Sequence, residues 1–408
     1  MNAAVPAPSL SVRQILVCSA VIVTLSMGVR HGFGLWLAPI TGARGWNRET
    51  FALALAVQNL VWGLAGPVVG MIADRWGATR VLVAGAIAYA AGLVTMAYAP
   101  SSLGFVMGAG VLIGAALSAT TYSVVYGVIG RGIDPARRSW AMGLTASAGS
   151  FGQFLMVPVS SALIGGVGWQ ASLVVLGAAA LLIVPLSFGL REKGLAARHA
   201  AAGPTGGQAR TALREALRTP SFLLLTTGYF VCGFQVVFIG VHMPSYLKDH
   251  GLGPEVATVA LALIGLFNVF GTYLAGVLGE RLAKRHVLAW IYALRSVAIV
   301  VFLAVPLSPL SVYLFAAVMG FLWLSTVPLT NAIVAQLFGV RHLSMLSAMV
   351  FLSHQVGSFL GVWLGGRLYD ATGSYDVVWW LSVALGVMAA LVHLPIREAP
   401  VTARAVPA

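Results

Sequence analysis

Acidic residues are scarce in this chain. Asp and Glu number 11 among 408 residues, and charged residues of both signs make up 9%, against about 25% in a soluble domain. Hydrophobic residues reach 59%, and mean hydropathy is +0.92. A water-soluble fold of this size cannot hide that much apolar surface, so the composition is that of an integral membrane protein. None of the acids lies deep in an apolar run: Glu49, Asp74, Glu255, Glu280 and Asp370 all fall near run ends. Cysteine is nearly absent too. Cys18 and Cys232 sit in different apolar segments, which fits inert buried thiols and not a disulfide or metal site. GxSxG, HExxH, CxxC and Walker sequences are missing. No nucleophile–base pair, metal cluster or phosphate loop therefore marks an enzyme, and no metal or cofactor is expected.

Glycine is plentiful, at 47 residues, as suits helices packed closely in lipid. Pro67, Pro158, Pro185 and Pro328 fall inside apolar runs, which membrane helices tolerate. Runs long enough to cross a bilayer need about 20 residues. Twelve occur, at 14–41, 49–73, 79–99, 102–130, 139–165, 169–190, 220–247, 255–279, 285–305, 309–335, 343–369 and 375–395. Met1 to Leu10 is short and lacks a small-residue cleavage site after a brief apolar core, so the first span reads as a retained anchor.

The net charge of +13 does not point to nucleic acid, because the Lys and Arg collect in alternate short loops. Arg75 and Arg80, Arg131, Arg137 and Arg138, the basic residues of the 191–219 segment, Arg281, Lys284 and Arg285, and Arg341 all lie on one side. The other side holds chiefly Arg44, Arg48, Lys248 and Arg367. The positive-inside rule then places both termini in the cytoplasm, with an inner-membrane location expected. The 191–219 segment contains Gly203-Pro204-Thr205-Gly206-Gly207 and reads as a linker. Its end, Thr211 to Arg218, is basic and amphipathic, a pattern suited to the membrane surface.

The two sides of this linker repeat. Gly70 to Arg75 matches Gly276 to Arg281, Gly28 to Pro39 matches Gly233 to Pro244, and Ala141-Met142 matches Ala348-Met349, at nearly one offset. Three ordered matches argue for two parallel six-helix halves. The expected organisation is an all-α membrane protein of twelve transmembrane helices in two pseudo-symmetric bundles, residues 1–190 and 220–408, joined by a cytoplasmic linker at 191–219.

Arg30 is the most informative single residue. It stands in an apolar run with no acid to neutralise it, where a cation costs at least a few kcal/mol and usually faces a polar pathway. A guanidinium also grips a carboxylate through paired hydrogen bonds. About ten residues separate it from the outer end of its helix, so it lies roughly 15 Å deep, near the middle of a ~30 Å core.

The loop Gly70-x-x-x-Asp74-Arg75-x-Gly77-x-x-Arg80 resembles the signature between helices two and three of the major facilitator superfamily (MFS). Phe33-Gly34 with Pro39, Gly45-Trp46, Gly149, Gly152 and Pro158, Gly168-Trp169 and His354-Gln355-x-Gly357 resemble, within it, bacterial relatives of the monocarboxylate transporters and oxalate–formate antiporters. The resemblance implies an MFS fold whose spans 1, 4, 7 and 10 line a central cavity. It also implies a conformational latch at Asp74, Arg75 and Arg80, with a weaker counterpart at Glu280 and Arg281. One departure matters. Those relatives often bind the carboxylate through an arginine of the eighth span, and here that span holds no cation, with Asn268 its clearest polar group. Arg30 is the expected replacement. The oxalate carriers' lysine of the eleventh span is also missing, which favours a monoanion over a dianion.

The resulting expectation is a monomeric secondary transporter of small organic anions, monocarboxylates foremost, working by alternating access with a proton as coupling ion and lipid as its surroundings. Anion exchange and export of drugs or metabolites are the alternatives. Candidate substrate ligands are Arg30, Tyr122 and Tyr126 (four apart on one helix face), Gln235 as the repeat partner of Arg30, Asn268, Asn331, His354 and Gln355. His354, His242 and His31 are the candidate proton carriers. Arg295, in the peripheral ninth span, is expected to bond helix oxygens instead of substrate.

Overall fold

The computed structural model describes residues 11–134, 137–191, 206–339 and 343–401, with the side chains of all but Asp74, Arg138, Ser139, residues 206–210 and Ser344. The linker residues 192–205 and the loop residue Arg341 lie outside the described residues. Eleven helical stretches among the described residues are long and apolar enough to cross a membrane. One of them, Trp140–Phe188, has 49 residues, about 74 Å at 1.5 Å per residue and more than twice a ~30 Å core. Gly168 interrupts it at φ 82 and ψ 163, so it supplies spans 5 and 6 and brings the crossings to twelve. The others are span 1 (Val12–Arg44), span 2 (Arg48–Ala73), span 3 (Ala78–Tyr98), span 4 (Ser102–Gly132), span 7 (Pro220–Asp249), span 8 (Pro254–Arg281), span 9 (Lys284–Ala304), span 10 (Pro309–Phe338), span 11 (Met345–Thr372) and span 12 (Asp376–His393). The linker ends in a helix, Gly206–Arg218, which runs into span 7.

Short loops are built from the residues that sequence would choose. Gly45 ends span 1 at φ 64, and Asn47 starts span 2 by accepting from the Thr50 amide at 3.0 Å. A left-handed glycine followed by an N-cap makes the reversal in three residues. Trp46 and Trp169, the aromatic halves of the two Gly-Trp pairs, flank Arg44 at 5.6 Å each. Arg44 in turn donates to the Ala99 and Ala97 carbonyls at 2.6 and 2.8 Å. The motif is thus one clamp tying spans 1, 3 and 6 together at the face opposite the linker.

Spans 1, 4 and 10 are broken. Span 1 tightens into a 3-10 turn at Gly32–Trp36. Span 4 carries a π turn at Val106–Leu112 and breaks again at Thr121. Span 10 is interrupted between Leu322 and Thr326. Each break frees backbone groups that hydrocarbon cannot satisfy, and side chains take them up. Gln58 donates to Ala109 O at 2.6 Å. Arg295 donates to Leu322 O and Trp323 O, while the Leu324 amide donates to Asn268 Oδ1 at 3.0 Å.

The two sides of the chain meet where small residues let backbones touch. A Cβ on Gly34 of span 1 would lie 2.4 Å from the Gly240 carbonyl of span 7. One on Gly366 of span 11 would lie 2.7 Å from Ala52 of span 2, and one on Gly265 of span 8 would lie 2.7 Å from the backbone of span 5. Toward the linker face this contact ends. Gly66 and Gly70 of span 2, Gly143 of span 5 and Gly276 of span 8 have nothing within 4 Å of such a Cβ. The halves are therefore packed together at the face opposite the linker and parted at the linker face.

Candidate substrate site

Arg30 sits one residue before span 1 changes from α to 3-10 geometry. Its Nη2 donates to Asn59 Oδ1 of span 2 at 2.5 Å, and its guanidinium lies 4.8 Å from the Trp62 ring. Asn59 is fixed in turn, because its Nδ2 donates to Leu55 O at 2.7 Å. That bond leaves only its oxygen to face Arg30. Asn59 and Trp62, one helical turn apart, therefore hold the guanidinium by edge and by face. Its Nε is buried without a partner. No ion pair among the described residues neutralises it.

The stack continues across the interface between halves. Trp62 meets Phe351 of span 11 edge-on at 5.4 Å, and Phe351 stacks on His354 at 5.8 Å and 11°. His354 also packs against Tyr229 of span 7 at 5.0 Å. Its Nδ1 lies 3.1 Å from Gln355 Oε1, a pairing that puts the ring hydrogen on Nδ1. His354 Nε2 and Gln355 Nε2 are buried and have no partner. Nε2 of a neutral His354 is then an acceptor, and it becomes a donor only when the ring is protonated. Gln355 packs its stem against Gly63 of span 2. Arg30, His354 and Gln355 are thus brought to one interface, from opposite halves, each with an unused nitrogen.

Other candidates are placed elsewhere. Gln235 has no exposed surface; it donates to Ser382 O at 2.9 Å and lies 3.5 Å from Arg295 Nη1. It faces spans 9 and 12 and not Arg30. The repeat aligned the backbones, but the partners differ: Tyr89, the counterpart of Arg295, reaches Ser26 O instead. Asn268 is spent on Ser150, Thr272 and the span 10 break, which makes it a pin between spans 5, 8 and 10. Tyr126 donates to Met142 O at 3.2 Å, and Tyr122 packs beside it against Gly149; both lean on span 5. Asn331 bonds back to Val327 O at 3.1 Å. His31 bonds Leu261 O of span 8 at 3.1 Å and meets Trp323 edge-on. His242 lies toward the face opposite the linker, bonded to Val362 O and Tyr375. Arg295 is fully buried and directed at carbonyls.

Arg75, Arg80, Glu280 and Arg281 of the expected latch are exposed, and the Asp74 side chain lies outside the described residues. Among the described residues, the ion pairs that join the halves are at the other face: Arg48 with Asp249 at 2.6 Å, and Glu49 with Arg367 at 3.2 Å. The sequence treated Arg48 and Arg367 only as topology charges. Asn59 was also missed, although Gln58-Asn59 is a visible pair of amides in an apolar run.

Comparison with known proteins agrees with this architecture. The sequence model of the Major Facilitator Superfamily matches residues 16–325 and 229–407. The uncharacterized MFS-type transporter YcxA of Bacillus subtilis (strain 168) is 24% identical over 383 residues, covering 90% of each chain. Monocarboxylate transporter 13 of Bos taurus is 25% identical, covering 92% of this chain and 88% of its own. Monocarboxylate transporter 11 of Mus musculus is 27% identical, covering 86% and 80%. Among solved structures, a D-xylose–proton symporter superposes with TM-score 0.73 at 15% identity, over 94% of this chain and 96% of its own. A bacterial homolog of the human lysosomal transporter Spinster, in an inward-facing and occupied conformation, gives 0.76 at 16% identity over 98% and 100%. This chain belongs to the major facilitator superfamily, a family of multi-pass membrane transporters and not of enzymes.

Proposed function

We propose that this chain carries small organic anions, monocarboxylates foremost, by alternating access between two six-helix bundles at 1–190 and 220–408 joined by the 191–219 linker. One observation carries the reading: the Arg30 guanidinium is held by a neutral amide and an indole face, with no acid among the described residues to cancel it. A partly desolvated cation with an unused Nε is a seat for one carboxylate. The names of the monocarboxylate transporter relatives support that substrate class.

Trp62 and, behind it, Phe351 supply an apolar border to the seat. His354 stands two rings behind it, in the other half. A protonated His354 adds a second cation to this interface, so binding of anion and proton reinforce one another. That is the elementary requirement for symport. With the linker face cytoplasmic, the parted end makes this the inward-open state.

Uptake of labelled lactate and pyruvate into proteoliposomes, with and without an inward proton gradient, tests the reading. Gradient-stimulated uptake is expected, with Arg30→Gln reducing it at least tenfold. Uptake of neither acid under any gradient, nor exchange against preloaded acid, overturns the substrate class. Undiminished uptake by Arg30→Gln overturns the seat.

A further inference from the structure

The outer face holds a set of polar contacts that the substrate site does not use. Arg48, at the start of span 2, forms two bonds to Asp249 at the end of span 7, at 2.7 and 2.6 Å. Its guanidinium also lies 3.7 Å over the Tyr369 ring of span 11. Asp370 accepts from the Arg48 and Glu49 amides at 3.1 and 2.7 Å, so span 11 caps the N-terminus of span 2 from the opposite half. These contacts exist only while the outer ends are together. They form a lock.

The lock has one neutral extension inward. Arg48 Nη1 donates to the Tyr375 hydroxyl at 2.8 Å. Tyr375 lies 3.2 Å from His242 Nδ1, and His242 Nε2 lies 2.8 Å from Val362 O. A carbonyl only accepts, so the imidazole hydrogen is on Nε2 and Nδ1 is bare. The chain of donors then has one direction, Arg48 to Tyr375 to His242 to Val362. Burial pushes the Tyr375 phenol above its ordinary range, so it stays a neutral hydroxyl able to donate inward. A polar cleft of about 420 Å³ is lined by Asp249, Tyr369, Tyr375 and Asp376, and Tyr375, 2% exposed, lies at its floor. His242 itself is 1% exposed.

We propose that His242 is the proton sensor of the outer lock: a proton reaching it through Tyr375 releases Arg48 and opens the outer end. In the step, the phenol proton moves to Nδ1 while a hydronium ion in the cleft returns a proton to the phenol oxygen and leaves as water, so the net change is one proton taken from the medium. The imidazolium then donates from both nitrogens. The Tyr375 oxygen faces a donor on each side, Arg48 and His242, both cationic. Its own hydrogen must turn away, toward the carboxylate that Arg48 was holding. Like charges about one oxygen and competition for Asp249 both weaken the lock.

Other groups that face this region must be separated from His242. Asp249 and His250 share its helix, Arg48 and Glu49 come from span 2, Tyr369 and Asp370 from span 11, and Tyr375 and Asp376 from the turn into span 12. Substitution, not pH alone, separates them from His242. The inference does not depend on which substrate is carried.

The test is a spin-label distance across the outer face, between Ser102→Cys and Leu310→Cys in a Cys18→Ser, Cys232→Ser background, without substrate. In the parent protein a longer distance is expected to gain population as the pH is lowered from about 8 to about 4, and the variants decide which group takes up the proton. His242→Gln and Tyr375→Phe are expected to hold the short distance throughout. His250→Gln is expected to respond like the parent, and Arg48→Gln to show the long distance at both pH values. A parent distance that ignores pH overturns the proposal. So does a response that survives in His242→Gln, which assigns it to the carboxylates. Tyr375→Phe keeps the ring packing and serves as the second reading should His242→Gln fold poorly.

Discussion

Arg30 and Arg295 both stand inside membrane-spanning helices, where a cation costs at least a few kcal/mol, and their surroundings assign them opposite roles. Arg295 is wholly buried, with its nitrogens on the Leu322 and Trp323 carbonyls and its plane near Tyr292. It closes the backbone gap in span 10. Arg30 has one bond to an amide and an unused Nε. Arg295→Gln strands carbonyls that each cost roughly 1–3 kcal/mol when left unpaired, so it is expected to lower the thermal unfolding temperature in detergent clearly. Arg30→Gln is expected to leave that temperature nearly unchanged, because it removes a charge that nothing in the protein neutralises. Equal losses in the two variants would show Arg30 to be a structural arginine. Its visibility in the sequence came from being a lone charge in an apolar run. Gln235 misled because repeat register predicts where a backbone lies and not which neighbour claims the side chain.

At the scale of helices, the interface is set by glycines that were legible as abundance but not as positions. The spans themselves could be read from hydrophobic runs, since a bilayer imposes length and apolarity on any helix crossing it. The broken spans could not. The interruption at Trp323–Ser325 contains neither Gly nor Pro, and it persists because Arg295 and Asn268 arrive from distant parts of the chain. Close approach has the same non-local origin. Gly366 reads like any other glycine until span 2 is placed 2.7–2.9 Å from its missing Cβ. Gly366→Val is accordingly expected to prevent closure of the outer end while leaving the spans intact. The Ser102–Leu310 label pair should then report the longer distance at every pH. An unchanged short distance would mean that the contact yields to a branched side chain and does not set the closed state.

For the whole molecule, the question is which face is which. The linker face carries Arg75, Arg80, Arg137, Arg281 and Arg218 on its loops and helix ends, several of them exposed. The basic residues of the opposite face are largely engaged: Arg44 by two carbonyls, Arg48 by Asp249, and Arg367 by Glu49. Basic residues are the more numerous on the linker face, and the positive-inside rule assigns that face to the cytoplasm. A fluorescent protein fused after Ala408 is expected to fold and emit, as it does in a reducing cytoplasm. Alkaline phosphatase fused at the same point is expected to be inactive, because it needs an oxidising compartment for its disulfides. The reverse pattern would invert the molecule. The parted end would then face outward, and the Arg48–Asp249 lock and its histidine would close the cytoplasmic side, sensing the pH of the cell interior instead of the medium.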